Sequence, residues 1–147
     1  MSAETSSSLD SVKIARTYVA TRDDLWKRIA AEHYRELWWP SSTLELANGG
    51  KVSTTLHRRD GSACQLNGTT DVYIEGHALG FTWRRPEERD ETSVLMTLTS
   101  LMGTTQLSVL EIGFRALPES NDRISDAADH WQQRLEALSN SLVQPVE

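Results

Sequence analysis

The chain has 147 residues, of which 38% are hydrophobic and 24% charged, and its formal net charge is −6. This length suits one domain with a sizeable core, and the acidic balance argues against a nucleic-acid partner. The single cysteine, Cys64, cannot form an internal disulfide, and no apolar run is long enough for a membrane span. We expect a cytoplasmic protein with a disordered N-terminal tail over residues 1–11 and one domain over residues 12–147.

A strand and a short helix open the predicted domain. β-branched and aromatic residues over 12–21 favour a strand. Thr21, followed by Asp23 and Asp24, marks the start of a helix that extends to about Ala31. The next segment, 32–39, is predicted to be a helical turn or a loop.

Six antiparallel strands joined by short turns are predicted next, because alternating apolar residues are separated by glycine-containing turn sequences. Gly68 interrupts the third of these strands and indicates a bulge there. Thr54, Gly68 and Thr70 fall on the inward side, so the space that this sheet faces is expected to be incompletely filled. The six predicted strands cover residues 43–47, 51–59, 62–75, 79–83, 93–101 and 104–114.

The last predicted element is an amphipathic helix of about five turns. Asn121 or Asp122 is expected to cap its start. Its apolar stripe needs a surface to cover, and the inner face of the sheet is the large candidate. The stripe consists of Ile124, Ala128, Trp131, Leu135, Leu138 and Leu142.

The order and spacing of short motifs over about residues 12–142 resemble the START-like (SRPBCC) superfamily. The nearest resemblance is to its branch of small bacterial proteins related to the activator of the 90-kDa heat-shock chaperone ATPase. Two positions depart from the usual pattern, with Arg22 in place of proline and His130 in place of glycine. The matching residues are Arg16, Ala20, Leu25-Trp26, Trp38-Trp39-Pro40, Gly49-Gly50, Asp60-Gly61, Gly68, Leu79-Gly80-Phe81-Thr82-Trp83, Thr105-Gln106-Leu107, Gly113-Phe114, Trp131, Leu135 and Leu138.

The resemblance implies an α+β helix-grip fold. In this fold a curved antiparallel sheet of six to seven strands wraps around a long C-terminal helix, with one or two short helices after the first strand. A ligand cavity is expected between the sheet and the C-terminal helix.

Standard catalytic and metal-binding patterns are weak in this sequence. His33 and Glu36 form a His-x-x-Glu pair, but a metal site needs at least three convergent ligands. Ser62 and Cys64 lack an evident base partner. The four histidines are expected on the surface, and no phosphate-binding or dinucleotide motif is present. We therefore expect no metal and no cofactor.

Glu111 is the most unusual polar residue of the predicted sheet. It shares its side of the strand with Leu107 and Val109 and should point toward the helix. A buried carboxyl group is either paired or protonated with a raised pKa. Glu111 is thus a polar anchor or an acid/base group of a pocket, unless an arginine pairs with it or a bulge turns it outward.

We predict that the chain binds a small, mostly apolar ligand in the cavity. One alternative is a cyclase, hydratase or hydrolase that uses Glu111 or a histidine. Another is a protein-interaction module of the co-chaperone kind, and a filled core with an exposed apolar patch would favour it. Trp38 and Trp39 are expected near the cavity entrance, or else as core residues. The predicted walls are Leu56, Thr70, Val72, Phe81, Trp83, Met96, Leu98, Val109, Glu111 and Trp131.

Overall fold

The computed structural model describes residues 3–7 and 10–142, which form one antiparallel sheet, three α-helices and a 3₁₀ turn. The helices are α1 (Arg22–Ala30), α2 (Glu32–Arg35) and α3 (Ser120–Ser141), and the 3₁₀ turn covers Phe114–Ala116. The strands are β1 (Ala3–Ser7), β2 (Ser11–Tyr18), β3 (Thr43–Leu44), β4 (Lys51–His57), β5 (Ala63–Ile74), β6 (Ala78–Arg84), β7 (Thr92–Leu101) and β8 (Thr104–Ile112).

The spatial order of the strands is β1-β2-β8-β7-β6-β5-β4-β3. Strands β3 to β8 form a meander, and β8 then pairs with β2, so that β1 and β3 are the two edges of an open sheet. The long helix α3 contributes Trp131, Leu135 and Leu138 to the main core, and none of the three is exposed to solvent. The helix-grip prediction is confirmed.

Buried hydrogen bonds hold the two short helices against the core. The Thr21 side chain caps α1, as predicted, by accepting the Asp24 N–H at 3.1 Å. The guanidinium of the buried Arg35 donates to the Ile29 carbonyl at 2.9 Å, near the end of α1. The Trp38 indole donates to the Arg28 carbonyl at 2.7 Å. These bonds satisfy carbonyls near the end of α1 and fix the segment that carries the two adjacent tryptophans.

The predicted tail over residues 1–11 contains a strand, which corrects the expectation of disorder. Ala3–Ser7 pairs antiparallel with β2, from Ala3 opposite Arg16 to Ser7 opposite Val12. An edge strand of this kind is held by backbone hydrogen bonds, so a segment rich in serine and threonine can form it without an apolar face. Residues 8 and 9 lie outside the described part.

The irregularity in β5 lies at Asp71, three residues after the predicted place. Thr70 pairs with Phe81 and Val72 pairs with Gly80, so one extra residue is accommodated between them. Gly68 instead serves a close approach of two strands. A Cβ atom at Gly68 would lie 1.6 Å from the Thr82 carbonyl oxygen of β6, and only glycine avoids that overlap.

The start of α3 also differs from the prediction. The helix follows Glu119, whose φ of 54° lies in the left-handed region, and no side chain caps it. Its buried face includes Ala127, Asp126 and His130, where a stripe through Ala128 and Leu142 was expected. The middle of the predicted stripe, around Trp131 and Leu135, is correct.

Candidate functional site

Aromatic side chains fill most of the space between the sheet and α3. Trp38, Trp39, Phe81, Trp83 and Trp131 are each at most 1% exposed. The Trp39 ring lies at the centre of this cluster, with centroid distances of 5.5 Å to Trp131, 6.3 Å to Trp83 and 5.7 Å to Trp38. Trp38 and Trp39 are therefore core residues, the second of the two expectations for them.

Glu111 lies at one side of the aromatic cluster, buried and pointing inward, as its strand position predicts. Its Oε1 accepts the Trp131 indole N–H at 2.9 Å, and its Oε2 accepts the Trp83 indole N–H at 3.0 Å. The Thr92 hydroxyl also donates to Oε2, at 2.5 Å. The partners are thus neutral donors from β6, β7 and α3, where an arginine was the expected alternative.

A small chamber of about 20 Å³ lies beside Glu111. This volume holds about one water molecule, since one water needs roughly 10–15 Å³ of such space. Glu111 lines it together with Thr92 and Trp83, two of its hydrogen-bond partners. Its remaining lining is Leu56, Leu66, Arg84, Arg85, Asp90, Phe114, Leu117, Arg123 and Ala127.

The chamber lies between two separate apolar clusters. Leu56, Leu66 and Trp83 belong to the main core. The opposite wall belongs to a second cluster, which surrounds the 3₁₀ turn and the start of α3. We call this group the satellite cluster, and it consists of Val12, Phe114, Leu117, Ile124 and Ala127.

A wider polar vestibule of about 320 Å³ adjoins the chamber, and Arg85 and Arg123 line both spaces. Arg123 makes a two-pronged ion pair with Glu88, with both N–O distances at 2.9 Å and both side chains largely buried. This pair ties α3 to the loop between β6 and β7. Arg85 forms no ion pair within the described residues. The rest of the vestibule is lined by Arg58, Arg59, Asp60, Glu119, Asp122, Ser125 and Asp126.

The structure brings three predicted wall residues to the chamber, namely Leu56, Trp83 and Glu111. Val72 is the clear error, because it is 36% exposed on the outer face of the sheet. The irregularity at Asp71 reverses the side of the sheet on which the following residues lie, and a strict alternation cannot anticipate it. The others are buried away from the chamber: Trp38, Trp39, Thr70, Phe81, Met96, Leu98, Val109 and Trp131.

The second wall of the chamber was not predicted from the sequence. Phe114 and Leu117 follow the left-handed Gly113, at which φ is 106° and the strand ends. They lie in a segment with no clear periodicity, so their burial follows from tertiary packing. Leu66 lies two residues after Cys64 in β5, on the same side of the strand. The strand pattern therefore indicates its inward position.

Three of the four histidines lie on the surface as expected, but His130 does not. It is only 8% exposed, and its ring contacts Trp39 and Trp131 at centroid distances of 6.2 and 4.8 Å. Burial, together with the charges of Arg134 and His57, lowers its pKa to about 3. The imidazole is therefore neutral at ordinary pH.

Within residues 3–7 and 10–142, no three histidine, cysteine, aspartate or glutamate side chains are placed to hold a metal ion. Across the same residues, no helix combines the length and the apolar character needed to cross a membrane.

The structure combines an open antiparallel sheet, a long C-terminal helix packed against it, and two short helices after β2. This combination defines a START-like helix-grip protein. The model of the family described as activator of Hsp90 ATPase homolog 1-like protein matches residues 19–142. The chain belongs to that family, and the resemblance noted in the sequence is confirmed. No curated protein sequence matches the chain.

Solved structures share this fold at low sequence identity. Protein MLL2253 from Mesorhizobium loti is 21% identical with a TM-score of 0.77, over 93% of this chain and 99% of that one. Protein Ms6760 from Mycobacterium smegmatis is 16% identical with a TM-score of 0.80, over 98% of each chain. DynU16, described as a putative protein in the dynemicin biosynthetic locus, is 18% identical with a TM-score of 0.75. That match covers 92% of this chain and 48% of DynU16. These likenesses establish the fold.

Proposed function

We propose that the protein binds a small, mostly apolar molecule in the chamber beside Glu111. The molecule enters through the arginine-lined vestibule. The observation that carries this proposal is a buried carboxylate, fixed by hydrogen bonds, in a chamber whose walls include apolar side chains of both clusters. Apolar walls with a few oriented polar groups are typical of small-molecule sites. The family supports the same class of function, because a helix-grip fold places its ligand between sheet and helix.

The chamber must enlarge to take a ligand, since its volume of about 20 Å³ matches roughly one water molecule. The satellite cluster is the part that can move at low cost. Its five residues form a core of their own, so displacing the 3₁₀ turn and the first turn of α3 leaves the tryptophan cluster intact. Arg123 lines both the chamber and the vestibule, and its ion pair with Glu88 fixes its position there.

Chamber filling tests the proposal directly. Native mass spectrometry of freshly purified protein looks for a co-purifying small molecule. A titration with the uncharged apolar fluorophore N-phenyl-1-naphthylamine then measures affinity, which we expect near a Kd of about 10 µM. Ala127→Val adds two methyl groups to the chamber wall and should weaken fluorophore binding at least about tenfold.

Asn140→Val is the matched control, because it adds the same side chain to an exposed position of the same helix. It should leave the Kd unchanged. Equal affinities for the two variants, or an absence of binding by the wild-type protein in both measurements, would reject the chamber as a ligand site.

A second candidate function is contact with another protein, as in a co-chaperone-like module. The observation in its favour is an apolar stripe on the outer face of the sheet. Leu95 is 38% and Ile112 43% exposed, and they lie beside Leu110 and Val72. Leu95→Glu separates the two functions. If ligand binding is the function, this change leaves fluorophore affinity as it was; if the stripe is the functional surface, a cellular assay responds to Leu95→Glu and not to Ala127→Val.

A further inference from the structure

A second cavity lies between β4, α3 and the segment that begins at Trp39. Its volume is about 120 Å³, and none of its lining residues lines the chamber or the vestibule. Trp39 forms one wall, and its ring also packs against Trp83 and Trp131. The full lining is Trp39, Pro40, Ser41, Thr55, His57, His130, Gln133 and Arg134.

His130 is the buried polar group of this cavity. It is more than nine-tenths buried, and its Nε2 has no hydrogen-bond partner in the described structure. A buried polar atom without a partner costs about 1–3 kcal/mol and calls for an explanation. His130 also lines the cavity, so a small hydrogen-bonding molecule held there lies beside the imidazole ring.

The charges around the cavity indicate which molecule this is. Arg134 of α3 and His57 of β4 line it together with His130, and no carboxylate is among the lining residues. Arg134 donates from Nη1 to the Trp38 carbonyl at 2.9 Å and forms no ion pair within the described residues. Its guanidinium has further donors, and a half-buried cation without a counter-ion favours an anion nearby.

Size restricts the anion further. The cavity of about 120 Å³ is about six times the volume of the Glu111 chamber, so it has room for several water molecules or for a carboxylate of two to four carbon atoms. The planar guanidinium of Arg134 matches the two oxygens of a carboxylate.

We propose that this cavity is a binding site for a small carboxylate, held by the Arg134 guanidinium and by the imidazole N–H of His130, with His57 at its rim. The site is independent of the proposed ligand chamber. A bound carboxylate also favours protonation of His130, so ligand occupancy and the charge of this buried ring are coupled.

The probe is sodium acetate, and acetamide serves as its neutral isostere. NMR spectra that report the His130 ring and the Arg134 side chain follow both titrations at constant ionic strength, kept with sodium chloride. Acetate should shift both groups saturably with a Kd of about 1–10 mM, and acetamide should not at the same concentrations.

Arg134→Gln should weaken acetate binding at least about tenfold, whereas Arg134→Lys should retain part of it. Lys27→Gln removes one positive charge from the exposed face of α1 and should leave acetate binding unchanged. Backbone spectra show whether each variant is folded. Equal shifts by acetamide, no saturation by acetate below about 100 mM, or unaltered acetate affinity in a folded Arg134→Gln variant would each overturn the proposal.

Discussion

Glu111 joins three parts of the molecule through one carboxylate. It lies on β8 and accepts hydrogen bonds from β6 through Trp83, from β7 through Thr92 and from α3 through Trp131. Charge-assisted hydrogen bonds are stronger than neutral ones, and together they offset the cost of burying the carboxylate without a cation. Glu111 therefore orients two tryptophans of the core as well as facing the chamber.

Two substitutions at Glu111 should lower the free energy of unfolding by different amounts. Glutamine keeps one acceptor oxygen and turns the other end of the group into a donor, so one of the three donors loses its acceptor. Leucine removes both oxygens and leaves all three donors unpaired. With about 1–3 kcal/mol for each unpaired buried donor, Glu111→Leu should lose at least about 3 kcal/mol and Glu111→Gln less.

Urea unfolding at neutral pH measures both free energies. Thr92→Val is the control, since it removes one donor and leaves the carboxylate in place. A leucine variant as stable as the wild type would mean that desolvation of the carboxylate cancels all three hydrogen bonds.

His130 makes the free energy of unfolding depend on pH. Its pKa is about 3 in the folded protein, because the ring is buried beside Arg134 and His57, against an ordinary value of 6.5. Between these two values the unfolded chain binds a proton that the folded chain does not. The free energy of unfolding therefore falls as the pH falls below about 6.5, by up to about 1.4 kcal/mol per pH unit for this one group.

His130→Gln removes this titration while keeping a polar side chain. Its free energy of unfolding should fall less steeply than that of the wild type between about pH 6.5 and pH 4.5. Urea unfolding at several pH values gives the two curves. Other groups titrate in both proteins, so the difference between the curves is the quantity of interest; parallel curves would contradict a neutral, buried His130.

At the scale of elements, periodic patterns located strands β2 to β8 and the long helix. Backbone geometry determined the features that these patterns do not show, such as the irregularity at Asp71. The inward position of Glu111 follows from alternation along β8. Alternation failed for Val72 because the irregularity at Asp71 is a backbone event that no side chain marks. The pattern also detected that Gly68 is special, but a near overlap with the Thr82 carbonyl is visible only once β5 and β6 are paired.

The helix α3 depends on Trp131 for its position. The ring is not exposed to solvent, contacts Trp39 and Trp83, and donates to Glu111. Trp131→Ala should lower the free energy of unfolding by about 3–5 kcal/mol, since it removes a large buried side chain and leaves a cavity. Asn140→Ala, at an exposed position of the same helix, should change it by less than about 0.5 kcal/mol. A loss below about 1 kcal/mol for Trp131→Ala would contradict the role of α3 as the cover of the sheet.

On the scale of the whole molecule, two apolar clusters of unequal size meet at the chamber. The main core contains the tryptophans and the middle of α3, and the satellite cluster contains the 3₁₀ turn and the start of α3. The segment around Phe114 and Leu117 carries no periodic signal, so the sequence does not indicate the satellite cluster. The cavity was predicted between the sheet and the C-terminal helix, and the chamber beside Glu111 lies where the two clusters meet.

Unequal clusters predict unequal local stability along one helix. Few apolar contacts hold the first turns of α3, so their amides should exchange with solvent through a local opening of low free energy. The amides around Trp131 and Leu135 should exchange only through global unfolding. Arg123→Gln breaks the ion pair with Glu88 and should speed exchange in the first turns without altering the middle of the helix. Native-state hydrogen exchange, followed by NMR, measures both regions at once.

If the satellite cluster is the entrance, N-phenyl-1-naphthylamine should slow exchange in the first turns of the wild type. Uniform exchange along α3, or equal acceleration of both regions by Arg123→Gln, would show that the two clusters open as one.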